Sequence, residues 1–464
     1  MVRVFRHYVS PIKLGLATAD FVLILICTIL AEILRYSFLD TAVPLQDVAG
    51  WIAKLIVPMI CLPILIGVGA YQADSLSDFK VFWIRMATGL LGAALVLSAV
   101  LFLFPILPLW RSILLLDLIL ISTTLLASHG VFMKLGSGVF FAQRVLLLGA
   151  GKTARSLMDY TRQSTGSGLN IVSVVALPNE DAVVEGAVKF QDIGSLTRFV
   201  SENHIEMIIV TGDATEEQLP LEALIACKLA GVTIKDRLAC YEEIRGYVDI
   251  ASVKAEWIIF SDGFRGATGL EQATKRLMDL CISLFFGALV SPIMFVSAIL
   301  IKITSRGPVF YLQDRVGLNG KIFRLVKFRS MKVDAEQGDG PKWAEEKDPR
   351  ITKVGAFIRR TRIDELPQLW NVFWGDMSFV GPRPERPFFV ETLNKDIAFY
   401  RERHCVKPGM TGWAQIRYPY GASVEDARRK LEYDLYYIKN YSLFLDLLIM
   451  LQTARVILFP SGVR

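Results

Sequence analysis

Clustered cysteine and histidine are what this sequence lacks. Its six cysteines (27, 61, 227, 240, 281 and 405) form no Cys-x-x-Cys pair and its four histidines no ligand cluster, so neither a disulfide framework nor a zinc site is indicated. A Walker phosphate loop is missing too, because the glycine it needs five residues before Gly151 is Leu146. No Tyr-x-x-x-Lys pair exists for dehydrogenase or epimerase chemistry. The net charge of +6 is modest and the basic residues follow no RNA or DNA motif, so no nucleic-acid partner is expected. The opening MVRVFRHYVSPIK runs into a long apolar span without a small-residue cleavage site, which argues against a cleavable leader.

Apolar residues are abundant instead. They make up 53% of the 464 residues, too many for an ordinary soluble protein of that length. They concentrate at about 12 to 34, 50 to 71, 81 to 107 and 111 to 135, each able to supply the ~20 residues that cross ~30 Å of hydrocarbon. Arg3, Arg6, His7 and Lys13 precede the first span, and Lys80 and Arg85 lie in or beside the second loop, whereas the first loop carries Asp40 and Asp47 beside Arg35. Positive flanks mark the cytoplasmic side, so the amino terminus is predicted inside and everything after about residue 136 cytoplasmic.

From residue 144, RVLLLGAGKTARSLMDYTRQ reads as a buried strand, a glycine turn and an amphipathic helix, and IEMIIVTGD and GVTIKD read as further parallel strands. Gly149, Gly151 and Ala154 fit G-x-G-x-x-A, a pattern that can seat a pyrophosphate at a helix amino end. The second strand, however, ends VVALPNED without a clear ribose-binding acid at its tip, so a Rossmann-like spacer is the preferred reading over a nucleotide site. A fifth apolar segment, 277 to 301, has cationic flanks on both sides, Lys275 and Arg276 before it and Lys302 and Arg306 after it. Ser291-Pro292 stands near its middle, where proline removes a hydrogen bond and bends a helix. A re-entrant hairpin satisfies both facts; a plain membrane-spanning helix with a tolerated proline is the alternative.

The chemistry-bearing residues follow. RRTRIDELPQLWN, 359 to 371, puts three arginines before the adjacent carboxylates Asp364 and Glu365. Read locally, Asp364 caps a helix, Glu365 favours its first turn and Pro367 is tolerated there. Read with the whole region, the two acids are set among Lys327, Arg329, Arg359, Arg360, Arg362, Arg383 and Arg417. Such a group can simply neutralise charge on a solvated face. Yet an arginine fixed between prolines, as in Gly381-Pro382-Arg383-Pro384, suits bidentate recognition of phosphate.

Lys275-Arg276-x-x-Asp279, Ser291-Pro292, KFRSM, DELPQLWNV, GDMSFVGPRPE, KPGMTGWAQI and YDLYYIKNYS occur in that order. With them, residues 271 to 460 resemble the bacterial sugar transferases, the monotopic polyprenyl-phosphate glycosyl-1-phosphate transferases that begin exopolysaccharide, capsule and O-antigen repeat units. The whole chain resembles the large members of that family. The resemblance implies a membrane protein of mixed class: a four-helix transmembrane bundle over 1–138, a Rossmann-like α/β cytoplasmic domain over 139–262, and a re-entrant membrane helix with an α-rich α/β catalytic domain over 263–464. It implies Asp364 as a nucleophile toward the sugar-bearing phosphorus of a UDP-sugar, and polyprenyl phosphate as the acceptor. Glu365 would help hold Mg²⁺ together with Asp364 or tune the site. Lys327, Arg329, Arg359, Arg383 and Arg417 would bind substrate phosphate, and Lys275, Arg276, Asp279 and Asp446 would support the site. A homodimer at the bacterial inner membrane, with the catalytic domain on the cytoplasmic face, is the implied setting. The tail 442 to 459, with Asp446, Gln452 and Arg455 in an apolar run, reads as an interfacial helix. A membrane-tethered nucleotide-sugar dehydratase or epimerase and a noncatalytic scaffold are the competing classes. The first lacks its cofactor fingerprint and Tyr-Lys pair; the second leaves the acid pair without a task.

Overall fold

The computed structural model describes residues 2–458 apart from 5, 40–47, 106–110, 135–141, 164–168, 179, 181–182, 212–218, 254, 262, 265–267, 333–349, 420 and 422. The first-loop acids Asp40 and Asp47 therefore lie outside the described residues. The chain forms two compact units, Met1–Gly246 and Tyr247–Arg464.

After a short antiparallel pair at Val2–Val4 and His7–Val9, the first unit has four long apolar helices, α1 (Pro11–Phe38), α2 (Val48–Val68), α3 (Phe79–Leu103) and α4 (Arg111–Lys134). Pro11 opens α1, where a missing N–H costs nothing. Asp78 caps α3 by accepting from the Lys80 amide. With a fifth helix in the second unit, five helices among the described residues are long and apolar enough to cross a membrane, and the chain is a membrane protein. Ile24, Val57, Cys61, Leu90, Ala93 and Ile121 are buried where α1 to α4 meet. Three polar rungs also lie along α1. Asp20 accepts from Tyr71 at 2.7 Å and pairs with His129 Nε2 at 2.8 Å. Thr28 meets Asp117 at 3.0 Å, and Glu32 meets Lys54 at 2.8 Å. Ionisable side chains between apolar helices persist only when paired, which makes each rung a register mark.

The same unit carries a parallel five-stranded sheet of β1 (Gln143–Leu148), β2 (Leu169–Ala176), β3 (Val188–Lys189), β4 (Met207–Val210) and β5 (Thr233–Asp236). The strands lie in the order β3-β2-β1-β4-β5, the doubly wound order 3-2-1-4-5-6 without its sixth strand. Leu146, Leu148, Val175 and Ile208 fill its core. At the tip of β1 the turn passes through Gly149 with φ +116°, open to glycine, into the helix α5 (Lys152–Gln163). An acid does stand beyond β2, but it is turned inward. Glu180 accepts from the Ala150 amide at 2.9 Å and from Leu177 N at 3.1 Å. The chain's own carboxylate thus satisfies the glycine-turn amide that a phosphate would use.

In the second unit a 36-residue helix, α6 (Gly269–Thr304), starts in a reciprocal Thr268–Glu271 capping box and runs through Pro292. Proline leaves the carbonyl four residues back without its usual donor, and here Ser291 Oγ supplies a hydrogen to that Ala288 carbonyl at 2.8 Å. Both arms of α6 dock on the same unit. Phe286 stacks on Phe379 at 6.1 Å, while Met294, Ala298 and Ile301 pack with Phe328 and Ile358. Next come the antiparallel hairpin β6 (Phe310–Val316) and β7 (Ile322–Phe328), then α7 (Lys353–Arg360), α8 (Gln368–Trp374) and the parallel pair β8 (Ser378–Val380) and β9 (Gly409–Thr411). Two helices, α9 (Val424–Lys439) and α10 (Leu443–Leu458), close the unit. Gly381 and Gly409 let β8 and β9 approach, since a methyl on either would strike the other segment's backbone.

Candidate active site

The acid pair stands on a strained turn. Helix α7, capped by Thr352, stops at Thr361, and Arg362 then adopts the left-handed conformation at φ 60°, ψ 14°. A non-glycine residue there costs roughly 1 kcal/mol and is kept where its surroundings enforce it. Ile363–Glu365 follow as a single 3₁₀ turn. The expected helix cap at Asp364 is not found. Leu366 and Leu369 amides turn back to Ile363 and Leu366 carbonyls, α8 begins only at Gln368, and its leading residue Pro367 makes no side-chain cap. Short-range turns have used the amides that Asp364 was expected to cap.

Asn371 brings the hairpin to this turn. Its side chain accepts from Val326 N at 3.0 Å and donates to the Arg324 carbonyl at 2.7 Å, so the following residue, Lys327, reaches Glu365 Oε1 at 3.3 Å. Arg383 donates to the same oxygen at 2.6 Å and Arg362 stands 3.9 Å away. Burial alone would raise the Glu365 pKa, but Arg383, Lys327 and Arg362 together hold it far below the usual carboxylate range. Asp364 moves the other way: burial first, then the adjacent Glu365 charge, raise it against the opposing pull of Lys327, Arg359 and Arg362. Asp364 is 9% exposed, and its Oδ1 has no hydrogen-bond partner among the described residues. Neighbouring acids driven apart in this way are suited to different work: Glu365 anchors cations, and Asp364 offers an unengaged oxygen.

Arg383 is held from behind. In its loop the Pro382 carbonyl accepts from Gly409 N at 2.9 Å, Arg383 O from Arg403 at 3.0 Å, Pro384 O from Arg315 at 2.7 Å and Glu385 O from Val316 N at 3.0 Å. Two prolines remove donors and fix φ, and four consecutive carbonyls are bonded, so the backbone beneath Arg383 is immobilised. Arg403 is itself gripped by Asp434 at 2.8 Å and Tyr400 at 2.6 Å.

The Lys275-Arg276-x-x-Asp279 opening of α6 points to the strand that leads into this loop. Lys275 donates to Asp446 at 2.7 Å and to the Val380 carbonyl at 3.1 Å, and Tyr437 donates to Asp446 at 2.8 Å. Arg276 bonds the Val372 and Phe373 carbonyls at the end of α8, at 2.7 and 2.6 Å. Asp279 accepts from Ser378 Oγ at 3.0 Å and Phe379 N at 2.9 Å.

Of the residues read from the sequence, Lys327, Arg359, Arg362 and Arg383 therefore gather at the acid pair. Lys275, Arg276, Asp279 and Asp446 form a brace for β8 and the end of α8, with the two acids buried and the two cations half-buried. Arg329 is 6% exposed and bonds the Ser305 carbonyl and hydroxyl at the end of α6, and Arg417 stacks over Trp413 at 4.3 Å. Ser291 and Pro292 occupy the middle of α6. Arg315, Asn371, Arg403 and Asp434 were not singled out, although Asn371 and Asp434 stand inside motifs that were.

The sequence profile described as bacterial sugar transferase matches residues 270–460. A UDP-glucose:undecaprenyl-phosphate glucose-1-phosphate transferase of Xanthomonas campestris pv. campestris is 32% identical over 328 residues, 67% of this chain and 66% of that protein. A UDP-N-acetylgalactosamine-undecaprenyl-phosphate N-acetylgalactosaminephosphotransferase of Aeromonas hydrophila is 50% identical over 190 residues, and the match spans 41% of this chain and 45% of that one. The exopolysaccharide production protein PSS of Rhizobium leguminosarum bv. phaseoli is 40% identical over 192 residues, 40% of this chain, and is matched over 94% of its own length. The matched part thus spans about half to two thirds of the first two relatives and nearly all of the third. The profile covers the acid pair, the arginine loop and the brace, and the chain belongs to the bacterial sugar transferase family.

Proposed function

We propose that this protein transfers a sugar 1-phosphate from a UDP-sugar to polyprenyl phosphate and releases UMP, the first membrane step of a surface-polysaccharide pathway. The carrying observation is the buried Asp364 carboxylate, with Oδ1 unpartnered among the described residues, beside a Glu365 already engaged by cations. In the first half-reaction Asp364 Oδ1 attacks the phosphorus that bears the sugar. The bond from that phosphorus to the bridging oxygen breaks, and UMP leaves with its electron pair. In the second, a phosphate oxygen of the lipid attacks the same phosphorus and the Asp364 carboxylate is regenerated. Lys327, Arg383, Arg362 and Arg359 offset the repulsion between carboxylate and diphosphate.

The acid pair also fits a magnesium ion. The Asp364 carboxylate oxygen that is not the nucleophile would be its hard ligand, Glu365 Oε1 is the poorer one because Lys327 and Arg383 already use it, and substrate oxygens and water would complete the set. When bound, Mg²⁺ supplies charge neutralisation at the diphosphate. Incubation with UDP-sugar labelled in the sugar, without lipid, is expected to leave label on the protein and none on Asp364→Asn. Equal label on both would remove the covalent step.

The same reading makes α6 re-entrant, with the catalytic unit on the cytoplasmic face. What supports it is that Lys275, Arg276 and Asp279 on one arm, and Met294, Ala298 and Ile301 on the other, all pack within one unit. A spanning helix would put one set across the bilayer. Cysteines placed beside Lys275 and Lys302 should both resist an impermeant reagent added from the periplasm. Modification at the Lys302 side alone would mean that α6 spans.

A further inference from the structure

The glycine turn between β1 and α5 is occupied by an anion of the chain's own. In a dinucleotide-binding sheet of this strand order, the second glycine of the G-x-G-x-x-A pattern is bare so that a pyrophosphate can lie against the backbone. Gly151 is that second glycine. A methyl built on it would stand 3.1 Å from Glu180 Oε1, tighter than ordinary van der Waals contact. The other oxygen of the same carboxylate, Oε2, accepts from the Ala150 amide at 2.9 Å and from the Leu177 amide at 3.1 Å. One side chain therefore takes both things the turn offers a diphosphate: the space over the bare glycine and the amide beside it.

The neighbouring backbone groups are spent internally as well. Gly149 N donates to the Val175 carbonyl at 2.8 Å, and the Gly149 carbonyl accepts from the Thr211 hydroxyl at 2.9 Å. The Ala150 carbonyl accepts from Val183 N at 2.8 Å and Val184 N at 3.2 Å. Val183 and Val184 follow Glu180 along the same connection from β2 to β3, so that connection grips Ala150 at its amide and at its carbonyl. An acid that read a ribose would leave the space over Gly151 to the diphosphate, and Glu180 fills it.

We propose that Glu180 is a built-in replacement for a bound diphosphate. It is an autoinhibitory contact that keeps the glycine turn closed to dinucleotides in the native protein, and the turn opens when the carboxylate is taken away. No residue of the acid pair or of the arginine loop takes part, so the contact holds whether or not the transferase reading does.

Hydrogen exchange of the full-length protein in detergent reads the turn through the peptide that contains Ala150. Each protein is compared with and without millimolar inorganic pyrophosphate, so that diphosphate held at the acid pair acts alike on all of them. In the unaltered protein the Ala150 amide is expected to exchange slowly, at the same rate in both conditions. Glu180→Ala should speed that exchange about tenfold, through loss of a hydrogen bond to a charged acceptor. Pyrophosphate should then slow it again, and sodium chloride of equal ionic strength should not. Equal slowing by pyrophosphate in the two proteins would show a seat already open in the native state, and no slowing in Glu180→Ala would show a turn that seats no diphosphate. Either result overturns the assignment. Gly151→Ala retains the acid and answers the same question if Glu180→Ala fails to fold. Its methyl should push the carboxylate off the turn and speed Ala150 exchange on its own, yet add nothing to Glu180→Ala. No acceleration by Gly151→Ala alone, or equal acceleration in both backgrounds, would equally overturn it.

Discussion

Asp364→Asn is expected to slow lipid-dependent UMP release by at least ~10³-fold while the protein melts at the same temperature or a higher one. The two halves of this result have one cause. Burial raises the Asp364 pKa, so the ionised form is disfavoured in the folded protein, and its Oδ1 gives up no hydrogen bond when an amide replaces the acid. The sign follows from linkage: a carboxyl whose folded pKa lies above its unfolded one costs stability at neutral pH, and Asn relieves that cost. Glu365→Gln should do the reverse to stability, because Lys327 and Arg383 lose the charge that holds them. Melting in detergent and a UMP assay on the two variants check both signs. Near-normal turnover by Asp364→Asn, or equal destabilisation by both changes, would dismiss the division of labour between the two acids.

Asp434→Leu is expected to destabilise the catalytic unit by about 3–5 kcal/mol, since it strands a buried guanidinium. Arg403 is 6% exposed and Asp434 1% exposed, and burial raises the Asp434 pKa to about 6 despite the pairing. Adding Arg403→Met should restore most of the stability, because apolar residues of similar volume replace buried ion pairs well. Activity should not return with it. Arg403 also holds the Arg383 carbonyl, and without that bond the loop beneath Arg383 loses one of its four fixed carbonyls. A double variant that recovers both melting temperature and turnover would reduce the pair to structural support.

Features encoded by neighbouring residues were legible in the sequence. The apolar helices, the buried apolar strands of the parallel sheet and the nearness of Lys327 and Arg383 to the acid pair all came from continuous apolar runs or from contiguous motifs. Contacts between distant residues left no such trace: Arg403 and Asp434 are 31 positions apart, and Lys275 and Asp446 are 171 apart. Glu180 was overlooked because an acid beyond a second strand is read for its reach toward a ribose, and this one turns back to the Ala150 amide. The cap at Asp364 was misread for a related reason. Asp before a helical run is a sound local signal, but the 3₁₀ turn from Ile363 delays the helix and gives the carboxylate a different task.

The polar rungs of the first unit set an order of events during biosynthesis. Helix α1 leaves the ribosome carrying Asp20, Thr28 and Glu32, and their partners arrive later: Tyr71 after 51 residues, Asp117 after 89 and His129 after 109. At about 5–20 residues per second, α1 waits on the order of 5–20 s for its last partner. A helix released alone into lipid during that interval would carry uncompensated acids through hydrocarbon. Pairing of Asp20 with His129 and of Thr28 with Asp117 before release into lipid would avoid that cost, and it ties the entry of α1, first of the set, to that of α4, the last.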